Sequence, residues 1–266
     1  MTSRSRPIGV FDSGVGGLTV LSALRERFPT EDYVYLGDTA RLPYGTKSAA
    51  TVERYAVKAA GHLAGHGIKL LVVACNTASS YALEALAAAV PIPVVGVVEP
   101  GVRAALTTGA RRIGVIGTEG TIRSKAYQAT LGRLGSEIEV EALPCPLFVP
   151  LAEEGWGDHP VTDQVARHYL RPLLDRRVQT IILGCTHYPL LRPSLQRVVG
   201  AGIELVDSAD AVAESVAADH ADLVSGDGRG SVRLELTDAS DRFLRITRAI
   251  LGRDPEELSV VDIDQA

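Results

Sequence analysis

Leu70 to Ser79 reads LLVVACNTAS, an apolar run that stops at Cys75 and passes at once into amide and hydroxyl side chains. Four apolar residues, two of them valine, suit a parallel strand covered on both faces, and Asn76, Thr77 and Ser79 supply the capping chemistry of a helix start. Cys75 is then expected in a strand-to-helix turn, where unpaired backbone N–H groups favour thiolate over thiol and also favour a bound anion. A small buried residue closing a strand explains the same cysteine equally well, because free cysteines are commonly inert core. Asn76 is the only asparagine in the chain, so its place beside the thiol is informative.

Working outward, the segment 7–28 reads PIGVFDSGVGGLTVLSALRERF, a strand, a glycine-rich turn and a helix. Gly14, Gly16 and Gly17 are spaced G-x-G-G, not G-x-G-x-x-G, and no GK[ST] follows, which argues against a dinucleotide site or a P-loop. What remains is a loop whose backbone N–H groups can face an anion, with Asp12 and Ser13 at the strand's end; a turn needing positive φ accounts for the glycines but not for Asp12 and Ser13. Tyr33 to Leu36 is a second strand, followed by the loop GDTARLPYG from Gly37 to Gly45. Lys47 reads as a solvated residue opening the next helix. His62 and His66 lie four apart on that helix, but without HExxH or an acidic third ligand they read as partly exposed bystanders. A strand from Val94 to Val98 is expected to end at Glu99, with Pro100 beginning a helix.

The pattern then starts over. Ile113 to Ile122 reads IGVIGTEGTI and matches IGVFDSGVGG from Ile8, with Thr118 in the place of Ser13. Thr180 to Pro189 reads TIILGCTHYP, so Cys185 answers Cys75 as a thiol at a strand end. Two dissimilar motifs recurring at similar offsets argue for two related halves, each a doubly wound parallel α/β sheet. Cys145, flanked by prolines, reads as structural, and Glu153 becomes chemical only if it approaches Cys185. After the strand 203–206 come a helix, the loop SGDGRG from Ser225, the strand VRLELT and a terminal helix around Phe243 to Leu251.

Composition narrows the function classes. The 266 residues carry a net charge of −5 and 46% hydrophobic side chains, which gives no global attraction to nucleic acid or to an anionic membrane. No signal-like segment and no membrane-length apolar run is present, so a cytoplasmic protein is expected. Three scattered cysteines without a CxxC pair are expected to be reduced thiols.

If the two halves face each other through their carboxyl-terminal strand ends, Cys75 and Cys185 point into one cleft from opposite sides. That arrangement suits inversion of a carbon bearing hydrogen, in which one base removes the proton from one face and a conjugate acid delivers one to the other. A single nucleophile with a His base, Cys185 with His187, is the competing reading and leaves Cys75 unexplained. Ser13, Tyr44, Asn76, Thr77, Thr118, Thr121, Thr186 and His187 supply donors suited to a small anionic ligand.

The motifs DSGVGG, GDTARLPYG, ACNTAS, VVGVVEP and GCTHYPLL, in this order, closely resemble those of the glutamate racemases, in the cofactor-independent aspartate/glutamate racemase superfamily. The resemblance implies interconversion of L- and D-glutamate for peptidoglycan synthesis without cofactor or metal, with Cys75 and Cys185 as the two proton donor/acceptors. It further implies that Asp12 assists Cys75, that Glu153 and His187 assist Cys185, and that Asp12, Ser13, Tyr44, Gly45, Asn76, Thr77, Thr186 and His187 hold substrate. It implies two α/β domains related by pseudo-twofold symmetry with the site between them, one formed by 1–97 plus 208–266 and the other by 98–207. A homodimer is implied, no nucleic acid or membrane partner is expected, and a secondary interaction with DNA gyrase is allowed by the resemblance but has no signal in this sequence. An aspartate or hydantoin racemase, or a binding protein using the same cleft without turnover, are the alternatives.

Overall fold

The computed structural model describes residues 6–135, 137–224, 229–252, 255 and 257–264. The expected loop at Ser225 therefore begins outside the described residues. Among the described residues ten strands form two wholly parallel sheets. The first, in the order β10-β9-β2-β1-β3-β4, is built from β1 (Ile8–Asp12), β2 (Tyr33–Gly37), β3 (Leu70–Val73), β4 (Val94–Gly96), β9 (Val232–Leu236) and β10 (Glu257–Val260). The second, in the order β6-β5-β7-β8, is built from β5 (Arg112–Gly117), β6 (Glu139–Pro144), β7 (Thr180–Gly184) and β8 (Glu204–Val206). The run β2-β1-β3-β4 has the same order as β6-β5-β7-β8, so the two halves read from the repeat share one topology. In that order the chain switches direction between β1 and β3, and between β5 and β7. The crevice outside the carboxyl ends of such strands is where open α/β sheets bind ligands.

Both sheets are covered on both faces, which is why β1, β2, β3 and β7 are buried along their whole length, whereas β6 and β9 alternate in sequence. On the first sheet, α1 (Leu18–Arg27), α11 (Ala209–Asp219) and α12 (Asp241–Leu251) pack on Val10, Tyr35, Val72 and Leu234. Its other face receives α2 (Ala49–Gly65), α3 (Asn76–Tyr81) and α4 (Leu83–Ala89) on Phe11, Leu36, Leu71 and Val73. The second sheet lies between α8 (Phe148–Glu153), α9 (Pro160–Asp175) and α10 (Arg192–Val199) on one side and α5 (Val98–Thr107) and α7 (Ala126–Leu134) on the other, with α6 (Glu119–Ser124) opening after β5. Among the described residues no helix is long and apolar enough to cross a membrane.

Three local expectations are corrected. Cys75, not its polar neighbours, is the N-cap of α3: the Ala78 N–H donates to its Sγ at 3.5 Å, and Asn76 and Thr77 are already helical. The strand expected to reach Val98 stops at Gly96, because α5 begins at Val98 before Pro100. Glu99 therefore sits in a first helical turn, where Arg103 and Arg133 each donate to it at 2.6 Å, instead of ending a strand at the cleft. The helix α9 and the edge strand β10 were not read from the sequence.

Candidate active site

Cys75 is presented by the β3–α3 turn and is nearly buried. Its Sγ lies 3.4 Å from Ser13 Oγ in the turn after β1. The thiol does not ionise easily in this setting. Burial, followed by the negative charge of Asp12, pushes its pKa up to about 12, against the lowering effect of Ser13 and the Ala78 N–H. The helix start is thus outweighed by desolvation, and Cys75 rests as a thiol. Asp12 is itself held above the ordinary carboxylate range by burial, opposed by the charge of His187 and by backbone N–H groups of Gly17, Gly14 and Ser13. Gly14 N–H donates to its Oδ2 at 2.9 Å, and Thr186 Oγ1 donates to its Oδ1 at 3.5 Å from the other half.

Cys185 follows β7 and precedes a short 3-10 turn at Tyr188–Leu191. His187 Nδ1 lies 3.9 Å from its Sγ, and His187 Nε2 lies 3.4 Å from Glu153 Oε1. The second separation is an ion-pair contact whose angles leave Nε2 without a formed hydrogen bond. Burial alone would lower the imidazole pKa, but the interactions with Cys185 and Glu153 prevail and raise it to about 10. Arg242 of α12 reaches Glu153 Oε2 at 3.0 Å. Burial would raise the Glu153 pKa, yet His187 and Arg242 hold it below the ordinary value. The site thus pairs a protonated thiol beside a carboxyl group with a second thiol beside a cationic imidazole.

One cleft collects Ser13, Tyr44, Gly45, Cys75, Asn76, Thr77 and Thr118 with Glu153, Cys185, Thr186 and His187, and adds Gly14, Leu42, Pro43 and Val149. Two residues expected at the site do not line it. Asp12 is buried behind the turn it organises, and Thr121 closes a hydroxyl triangle in which Thr77, Thr118 and Thr121 Oγ1 atoms are 2.9 to 3.1 Å apart across the two halves. Asn76 borders the cleft while its Nδ2 donates at 2.7 Å to the Tyr127 hydroxyl of α7, so the single asparagine also ties the halves together. Tyr44 donates at 2.6 Å to Asp38 Oδ2, and Thr237, just beyond β9, donates to the other oxygen, Oδ1, at 2.9 Å. Tyr127 and Arg242 were missed in the sequence because they act on a named residue from a distant segment and carry no local motif, whereas Asp38 lies in the quoted GDTARLPYG loop and carries no signal that sets it apart as the partner of Tyr44.

At Gly16 and Gly17 the demand for glycine is steric and not conformational. None of Gly14, Gly16 or Gly17 has a positive φ. A Cβ at Gly16 would stand 2.6 Å from Thr186 Oγ1 and 2.7 Å from His187 Nδ1, so only glycine lets the two halves close here. Gly16→Ala is expected to displace Thr186 and His187 and to cut turnover by about 100-fold, the cost of roughly 1 Å of misplacement at a reacting group. The check is steady-state kinetics on protein whose circular dichroism is unchanged.

His62 and His66, read as bystanders for want of an acidic neighbour, have one. Both rings meet the buried carboxylate of Glu235 on β9, which the sequence places far downstream.

Comparison with known proteins places this geometry. The model of the Asp/Glu/hydantoin racemase family matches residues 16–216. A glutamate racemase of Geobacter metallireducens is 50% identical over 255 residues, covering 93% of each chain, and one of Aquifex aeolicus is 50% identical over 250 residues, covering 94% of this chain and 95% of the relative. The crystal structure of the Francisella tularensis glutamate racemase in complex with D-glutamate superposes with a TM-score of 0.92 at 35% identity, covering 99% of this chain and 100% of the other.

Proposed function

Because the chain belongs to the Asp/Glu/hydantoin racemase family, we propose that it interconverts L- and D-glutamate by a two-base mechanism in which Cys75 and Cys185 exchange roles. The observation that carries this reading is the pair of thiols lining one cleft from the ends of β3 and β7, close enough that charge on Cys185 is felt at Cys75. In one direction a Cys185 thiolate takes the α-proton and the Cys75 thiol delivers its own to the opposite face; the reverse direction exchanges the parts. Asp12 opposes thiolate formation at Cys75. The substrate ammonium, set near Asp12, offsets that negative charge and lets Cys75 act as base when its turn comes. On the other side the His187 imidazolium, held by Glu153, stabilises negative charge developing on Cys185 as it gives up its proton.

Ser13, Tyr44, Gly45, Asn76, Thr77, Thr118 and Thr186 are assigned to the substrate's carboxylates and ammonium, with Thr121 holding Thr77 and Thr118 in place. The functional units are taken as 1–97 with 208–266, and 98–207. No cofactor or metal is assigned to the reaction. The family resemblance and the high identity to bacterial glutamate racemases support a cytoplasmic homodimer supplying D-glutamate for peptidoglycan.

Incubation with L-glutamate in deuterium oxide, without added cofactor, tests the reading. Optical rotation is expected to decay to zero, with deuterium entering the D-product ahead of the remaining L-substrate, since the two faces are served by different thiols. Exchange with aspartate but not glutamate moves the substrate, and no exchange with either ends the proposal.

A further inference from the structure

We propose that His62, His66 and Glu235 form a binding site for a divalent transition-metal ion of the zinc class, separate from the racemase cleft. The two histidines lie one turn apart at the carboxyl end of α2, His66 being its C-cap. Glu235 enters from β9, 173 residues beyond His62. Both imidazoles direct Nε2 at the same carboxylate oxygen, His62 at 2.6 Å and His66 at 3.1 Å from Glu235 Oε2. Four ligands around zinc at the usual bond lengths stand about 3.3 Å from one another. The His66 contact is within about 0.2 Å of that spacing, and the His62 contact needs to open by about 0.7 Å to admit the ion.

Three further features suit a cation. Among the described residues no other group of three His, Cys, Asp or Glu ligand atoms converges in this way. The carboxylate is 5% exposed, so its charge is desolvated and gains from a compact positive partner, while the rings are 16% and 24% exposed and leave a path for a fourth ligand from solvent. The carboxyl end of a helix also favours positive charge. Two neutral imidazoles with one carboxylate and an open position is a ligand set zinc accepts. None of the three residues lines the cleft. A bound ion would fasten α2 to β9, and so the returning C-terminal segment to the amino-terminal half of the same sheet.

Cysteine thiolates in the cleft could also take zinc, so the experiment is run on the Cys75→Ala/Cys185→Ala protein. Equilibrium dialysis against buffered Zn2+ is expected to give one equivalent. Affinity should fall at least about 100-fold in added His62→Ala or Glu235→Gln, beyond the 10- to 100-fold lost with a mere supporting contact. Zn2+ should raise Tm of the parent and leave the His62→Ala/His66→Ala protein unmoved. Co2+ should bind without a thiolate charge-transfer band. Zinc binding that is unchanged by the histidine and glutamate variants, or no saturable binding at all, overturns the proposal and leaves a hydrogen-bonded His–Glu–His cluster. Glu235→Gln keeps the shape of the buried side chain, and the histidine variants lie on a partly exposed surface, so loss of binding is readable on folded protein.

Discussion

Replacing either Cys75 or Cys185 by alanine is expected to eliminate racemisation, lowering kcat by about 10⁴-fold or more while circular dichroism stays native. A general acid or base is ordinarily worth about 10²- to 10⁴-fold, and here each thiol is indispensable, because a carbanion formed on one face can only be inverted by a proton from the other. The two variants should differ in what they retain. Cys185→Ala keeps a thiol only on the Cys75 face, and Cys75→Ala keeps one only on the Cys185 face. Each should wash deuterium slowly into one enantiomer without inverting it, and the two should choose opposite enantiomers. Following α-hydrogen exchange of L- and D-glutamate separately by proton NMR makes that distinction. A variant that still racemises within tenfold of the parental rate, or two variants that wash the same enantiomer, would sink the two-base assignment.

That experiment separates what the sequence discloses from what it conceals. The repeat of a strand ending in a thiol was legible because parallel strands covered on both faces must be continuously apolar, and a break into Cys, Asn and Thr has no packing reason. The shared strand order of the two sheets follows from the same repetition. The charge state of Cys75 was not legible. Its local neighbours argue for thiolate, but burial and the Asp12 carboxylate, brought beside it at the end of the neighbouring strand β1, reverse the sign. The need for glycine at position 16 was not legible either, because the crowding that demands it comes from Thr186 and His187, residues of the other half. Glu235 and Arg242 belong to segments so far along the chain that no spacing rule connects them with His62 or Glu153. Local chemistry is thus readable from the sequence, and chemistry made by segments that only the fold brings together is not.

Glu153→Gln is expected to lower kcat by about 100-fold near pH 9 and to move the alkaline limb of the pH–rate profile to lower pH. The sign follows from the balance at His187. An unperturbed imidazole titrates near 6.5. Burial pushes this one down, while Cys185 and Glu153 push it up to about 10, and the glutamine removes the charge of the second partner but not the burial. The pKa must therefore fall from about 10 toward neutrality. Above the new value the variant has lost the imidazolium that faces Cys185, whereas the parent keeps it until its own pKa is passed. Below the new value both proteins carry the cation, and their rates should converge as the pH is lowered. This convergence distinguishes loss of charge support from mere displacement of the ring, which would depress the rate at every pH. His187→Asn supplies the comparison: with no imidazole to titrate, it should be slow throughout and lack this limb. If Glu153→Gln retains the parental limb, Glu153 does not sustain the cation, and the role assigned to it beside Cys185 is wrong.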